Sequence, residues 1–189
     1  MPALPSITWL FAPFMRLAGR LSGRDWAVER VSMPVPAKVF GPGSQRPFAE
    51  YFKGESFVRV GSLDDIVEWL QTCEYVTDLE QFQNRDVWQH PQIFEKVRRG
   101  DCEDFALWAW RKLAEVGIDA EFYVGRVICS ETQLDRQHAW VVYQENGTAF
   151  LFEPAARNRS QMIRPLADAM DDYIPHFSVN HRFETSAFA

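Results

Sequence analysis

Gly100-Asp101-Cys102-Glu103-Asp104-Phe105-Ala106 sets a cysteine at the point where a helix is expected to begin. From residue 102 to residue 116 apolar and polar side chains alternate with a helical period, and Gly117 supplies the stop. At about 100° per residue, Cys102, Phe105, Ala106, Ala109, Leu113 and Val116 share one stripe. Asp104, Trp108, Arg111 and Glu115 fall roughly opposite, on the side expected to face away from the core. The thiol therefore belongs to the inward face of the first turn. Unpaired peptide N–H groups and the helix dipole favour an anion there. A cysteine so placed can have its pKa lowered from about 8.5 towards neutrality and act as a thiolate nucleophile.

A second chemical signal lies downstream. Gln137-His138-Ala139-Trp140-Val141-Val142-Tyr143-Gln144 reads as a strand, Asn146-Gly147 as a hairpin turn, and Thr148 to Glu153 as the returning strand. With Asn146-Gly147 as the loop, Trp140 faces Glu153 and His138 lies diagonal to it. With Glu145-Asn146 as the loop, His138 faces Glu153 directly. A bulged three-residue loop reverses the parity and separates the two. In the first two registers an imidazole and a carboxylate share one sheet face, within reach of long side chains. A cysteine at a helix tip, a histidine on a strand and an acid on the partner strand are the parts of a thiol triad.

These segments, with Val116-Gly117-Ile118-Asp119-Ala120 between them, resemble the transglutaminase-like superfamily, and more narrowly its bacterial cysteine proteinases. Asp86-Val87-Trp88-Gln89-His90-Pro91 resembles the Asp-x-Trp-x-x-Pro segment that precedes the cysteine helix in that branch. The resemblance spans residues 86 to 154, with a weaker echo from Tyr173 to Asn180. It implies Cys102 as nucleophile, His138 as general base and acid, and Glu153 as orienting acid, where the family usually has aspartate. It also implies calcium beside the nucleophile at Asp101 and Glu103. The residues themselves give those acids a plainer role, with Asp104, as first-turn charges complementing the helix dipole and Asp101 as the N-cap. The backbone N–H of Cys102 is the expected oxyanion donor, joined by Trp88 or Gln89.

The rest of the chain frames this. Its 189 residues, 47% hydrophobic and 14% aromatic, suit one folded domain, residues 51–189, after an irregular proline-rich N-terminal arm, residues 1–50, that holds seven of the eleven prolines. A net charge of −6 argues against nucleic acid as partner. No apolar run is long enough for a membrane span. Ile7 to Leu17 is mostly apolar, but it lacks the basic start and cleavage site of a secretory signal, so the expected compartment is the cytoplasm. Three cysteines, an odd number without zinc-type spacing, leave one thiol unpaired.

A strand is expected over Ser56–Val60. Ser62 caps a helix carrying Ile66, Trp69, Leu70 and Cys73, and Pro91 opens another with Phe94 and Val97 inward, ended by Gly100. A strand over Ala120–Cys129, a polar loop from Ser130 to Arg136 and a last strand around Phe177 and Val179 complete the reading. Helices followed by antiparallel strands give an α+β, papain-like fold with the cysteine helix packed on the sheet. Cys73 and Cys129 read as structural; His90, His176 and His181 read as caps or surface residues.

The function that follows is hydrolysis of an amide bond in a protein or peptide through a thioester, without an obligate cofactor. The alternatives are transamidation onto an amine acceptor, a catalytically silent peptide- or partner-binding module, and a metal site built from Cys102, His138 and Glu153.

Overall fold

The computed structural model describes residues 31–32, 43–44, 46–129 and 134–188. Segment Ile7–Leu17 and most of the proline-rich arm lie outside them. In chain order the elements are β1 (Val31–Ser32), α1 (Leu63–Leu70), β2 (Glu74–Tyr75), α2 (Asp78–Phe82), α3 (Pro91–Val97), β3 (Arg99–Gly100) and α4 (Cys102–Glu115). Then come β4 (Ala120–Cys129), β5 (Leu134–Glu145), β6 (Thr148–Phe152), α5 (Arg159–Met162), β7 (Ile163–Pro165), β8 (Tyr173–Asn180) and β9 (Thr185–Ala187). Seven strands form one antiparallel sheet in the order β1-β9-β8-β4-β5-β6-β7, while β2 and β3 make a small parallel pair.

The hairpin takes the first of the expected registers. Asn146 and Gly147 have φ of 50° and 78°, the positive values that a two-residue turn matched to strand twist requires. The ladder runs from Glu145–Thr148 to Val141–Phe152, so Glu153 leaves the strand diagonal to His138. On one face of the sheet α4 packs with α1 and α3 around Phe94, Trp108, Trp110, Phe122, Val141 and Phe152. On the other, Tyr123, Trp140, Leu151 and Tyr173 pack under Leu166 and Ala169.

Several expectations need correction. The stripe of α4 opposite Cys102 is buried except at Glu115: Asp104 is enclosed, Trp108 stacks on Trp69 at 4.0 Å between ring centroids, and Arg111 donates to the carbonyls of Tyr51, Lys53 and Gly54. Those residues read as polar or amphipathic in sequence, but the extended segment and α1 cover them. Ser56–Val60 forms no strand, because its backbone is taken by side chains. The N–H groups of Phe57 and Val58 donate to the Glu95 carboxylate, and Lys112 Nζ donates to the Val58 carbonyl.

Helix α3 ends at Arg98, which turns into the left-handed region at φ 51°, before Gly100 is reached, and Val97 is exposed. Likewise α1 stops at Leu70, so Cys73 packs from the turn beyond it. Leu134–Arg136, expected in a loop, already belongs to β5, and β9 follows the strand expected to be last. At the chain start, β1 pairs with β9.

Gly125 marks the tightest backbone approach near the site. It pairs with His138 and sits where the β4–β8 register shifts. A Cβ there would lie 2.1 Å from the Ile174 carbonyl oxygen and 2.8 Å from Trp140 Cη2. We expect Gly125→Ala to lower the stability by about 1–3 kcal/mol, the cost of overpacking, in urea titration. An unchanged midpoint would mean β8 yields freely.

Candidate active site

The hairpin brings two of the expected residues together, and α4 sets the third, Cys102, beside the residue that follows His138. Hairpin register carries His138 to Glu153, with Nε2 and Oε2 2.5 Å apart and both side chains buried. Strand β8 adds a residue that the sequence reading missed: the Tyr173 hydroxyl donates to the same Oε2 at 3.0 Å. A buried phenol needs a polar partner, and the only sequence signal here was the weaker echo starting at Tyr173, which gave the residue no role. His138 lies between aromatic rings, 6.3 Å from both Trp140 and Tyr173 by centroid. Its bond to Glu153 through Nε2 fixes the tautomer and leaves Nδ1 for proton exchange.

Cys102 begins α4 at this strand. Its sulfur accepts a hydrogen bond from the peptide N–H of Ala139, the residue after His138. The thiol proton points elsewhere, donating to Glu103 Oε2 at 3.3 Å. Burial pushes the Cys102 pKa well above its ordinary value, and the charges of Glu103 and Asp101 add to that. The expected dipole-lowered thiolate is therefore opposed at its own site: the acids and desolvation outweigh the Ala139 N–H.

The first-turn acids do not act as simple caps. Asp101 occupies the N-cap position without a side-chain cap hydrogen bond. Glu103 and Asp104 are buried rather than solvated. Carboxylate oxygens of Asp78, Asp101 and Asp104 lie within 4.8 Å of one another, as do those of Asp78, Asp86 and Glu103. Burial and mutual repulsion raise Glu103 and Asp104 well above the usual carboxylate range and Asp78 to about 6.

Two sequence candidates have their donors engaged. The Trp88 indole N–H donates to Asp86 at 2.7 Å, and the Gln89 amide donates to the Arg99 carbonyl and to Asp104. An oxyanion role for either requires a donor that the acid cluster already holds. His90 caps α3 as expected, whereas His181 is neither cap nor surface residue: it is half-buried and stacks on Trp110, and burial lowers its pKa. The side chain of Cys129 lies outside the described residues. An open groove of about 840 Å³ is lined by Leu63, Tyr143, Phe150 and Arg159 and holds none of the expected site residues.

No family model and no curated protein matches the chain. Among solved structures, calcium-bound LapG of Legionella pneumophila superposes with a TM-score of 0.51 at 19% identity, covering 75% of this chain and 76% of that one. A second LapG structure gives 0.50 at 19%, covering 77% and 71%. The fold is papain-like, of the transglutaminase-like kind. A candidate cysteine protease from Cytophaga hutchinsonii also matches, at 0.39 and 14% identity, covering 76% of this chain and 56% of that one. In the transglutaminase-like fold seen here, the hairpin carrying His138 and Glu153 meets the first turn of α4.

The acids give a test with a defined sign. A carboxyl whose folded pKa is raised stabilises the protein below its unfolded value, near 4, and that stability is lost as pH rises through the folded value. Glu103→Gln imitates the protonated form. In calcium-free buffer we expect no gain in Tm for this variant at pH 4 and a gain of several degrees at pH 7.5. His90 and His181, held low by burial, respond in the opposite sense, so variant and wild type are compared at each pH. A constant difference across pH would show that Glu103 is not held protonated.

Proposed function

We propose that the protein is a cysteine peptidase that hydrolyses an amide bond of a protein or peptide through Cys102, His138 and Glu153. The observation that supports this reading best is the buried Glu153–His138 pair, anchored by Tyr173, on the strand whose next residue, Ala139, bonds the Cys102 sulfur. Cys102 sulfur adds to the amide carbonyl carbon after giving its proton to His138 Nδ1. The oxyanion is met by the Cys102 backbone N–H at the helix start. His138 then protonates the leaving amine as the C–N bond breaks, leaving a thioester. Water attacks the thioester, His138 takes its proton, and the C–S bond breaks to release the acid. Glu153 holds the imidazole in place and stabilises its charged form, and Tyr173 holds Glu153.

The acid cluster fits a calcium ion. Its ligands are oxygens, as calcium prefers, and among the described residues Asp78 Oδ1 and Asp101 Oδ1 are buried without a hydrogen-bond partner. Asp101 and Glu103 would hold the ion, with Asp78, Asp86 and Asp104 behind them. Bound there, calcium supplies positive charge that offsets the field raising the Cys102 pKa. In its absence the Cys102 thiol keeps its proton, donated to Glu103 Oε2, so a silent state is the second reading that this geometry favours.

The test is incubation with a proteome-derived peptide library in ¹⁸O-water, with and without calcium. New C-termini carrying ¹⁸O that vanish in Cys102→Ala are expected. Retention of peptides without new termini would favour the binding module, and incorporation of an added amine would favour transamidation.

A further inference from the structure

We infer that Arg164 is a positioning residue of the candidate site: its guanidinium, set over the Tyr173 ring, holds the phenol where it fixes Glu153. This rests on the peptidase reading and deepens it by naming what secures the Tyr173 anchor. Arg164 touches none of the reacting groups itself; it acts through Tyr173.

The sheet register directs Arg164 to the right face. Arg164 pairs with Leu151 in the β6–β7 ladder, and directly paired residues project to one side of a sheet. Leu151 packs with Trp140 and Tyr173. Strands β7 and β8 are four places apart in the sheet order, and the segment between them lays Leu166 and Ala169 on that same face. Arg164 stands just before this connection and Tyr173 just after it. Their side chains meet: Arg164 Cζ lies 5.8 Å from the centroid of the Tyr173 ring.

From that ring each link to the imidazole is short. The Tyr173 hydroxyl donates to Glu153 Oε2 at 3.0 Å, and the same oxygen lies 2.5 Å from His138 Nε2. Tyr173, Glu153 and His138 are all buried, so water screens little of the chain. Glu153 Oε1 is buried without a hydrogen-bond partner among the described residues, so the flexible carboxylate is held through Oε2. A cation over an aromatic face is attracted by the ring quadrupole, most strongly where water is excluded. It also draws electron density from the ring, which makes the phenol O–H a firmer donor. Burial and Glu153 push the Tyr173 pKa up, and the Arg164 charge pulls against them. Arg164 is half-buried, and no hydrogen bond at Nε draws it elsewhere among the described residues.

The experiment reads the rate of Cys102 alkylation by iodoacetamide below pH 7 in calcium-containing buffer, with Tm recorded for every variant. Arg164→Met, similar in length but uncharged, is expected to slow alkylation about 2–30-fold, what one cation–π contact is worth. Arg164→Lys, which keeps a charge over the ring, should retain most of the rate. In a Tyr173→Phe background, Arg164→Met should add at most about a twofold loss, because the hydroxyl it acts through is gone. A full loss in that background, or an equal loss in Arg164→Lys, would overturn the inference. So would a lowered Tm at an unchanged rate, which would mean that the contact only pins the β7–β8 connection.

If wild-type Cys102 reacts no faster than an ordinary thiol, the peptidase reading fails and a second arm judges Arg164 alone. It follows the ring N–H proton of His138 by NMR in ¹⁵N-histidine-labelled protein. Arg164→Met is expected to move that resonance in the same direction as Tyr173→Phe, and Arg164→Lys to leave it near the wild-type position. A resonance that Arg164→Met does not move would overturn the inference.

Discussion

Lys112→Ala is expected to cost about 3–5 kcal/mol of stability, the penalty for stranding one member of a buried ion pair. Lys112 Nζ lies 2.9 Å from Glu95 Oε1, with the two side chains 0% and 1% exposed. Glu95 is the hub of this region: it also accepts from the Trp108 indole at 3.0 Å and from the Phe57 N–H at 2.6 Å. Removing the lysine leaves the carboxylate in the core beside α4 with no cation. For a chain of this length each kcal/mol shifts Tm by about 2–4 °C, so a fall of roughly 6–20 °C is expected by calorimetry. Lys112→Met with Glu95→Gln should recover a large part, because an uncharged pair of similar volume removes the stranded charge. A single variant within 2 °C or so of wild type would show that water reaches Glu95.

The largest expected effect on chemistry short of removing the nucleophile or its base belongs to Glu153. It touches both His138 and Tyr173 through a single oxygen. Glu153→Gln keeps the length but removes the charge that stabilises the imidazolium, and it offers the ring an amide that binds either tautomer. On the proposed mechanism, turnover is expected to fall about 10²–10⁴-fold, the range for an impaired acid–base group. Glu153→Asp should fall less than Glu153→Gln, and Tyr173→Phe less again, since Tyr173 acts only through Glu153. A Tyr173→Phe loss equal to that of Glu153→Gln would mean that the phenol itself touches substrate.

Much of this site was legible because it is built from local signals. Asn146-Gly147 fixes the hairpin, and the hairpin fixes the diagonal between His138 and Glu153. The α4 start at Cys102 follows from a helical period and a glycine stop. What was hidden depends on distant pairings. Tyr173 meets Glu153 only because β8 lies beside β4, across the sheet from the hairpin. The acids of the first turn read as solvated helix charges, but α2 and the segment to Gln89 fold over them and close a cluster. Arg111 and Lys112 read as polar for the same reason. Their partners are main-chain carbonyls near residues 51–58 and Glu95, and no pattern within α4 announces them.

The central claim is that Cys102 and His138 exchange a proton. The rate of Cys102 modification by iodoacetamide, followed against pH in calcium-containing buffer, tests it most directly. The account predicts that the wild-type rate persists well below pH 7, as a thiolate–imidazolium pair requires, and that His138→Ala shifts the profile up to a free-thiol titration near 8.5 or above. Superimposable profiles for the two proteins would contradict it.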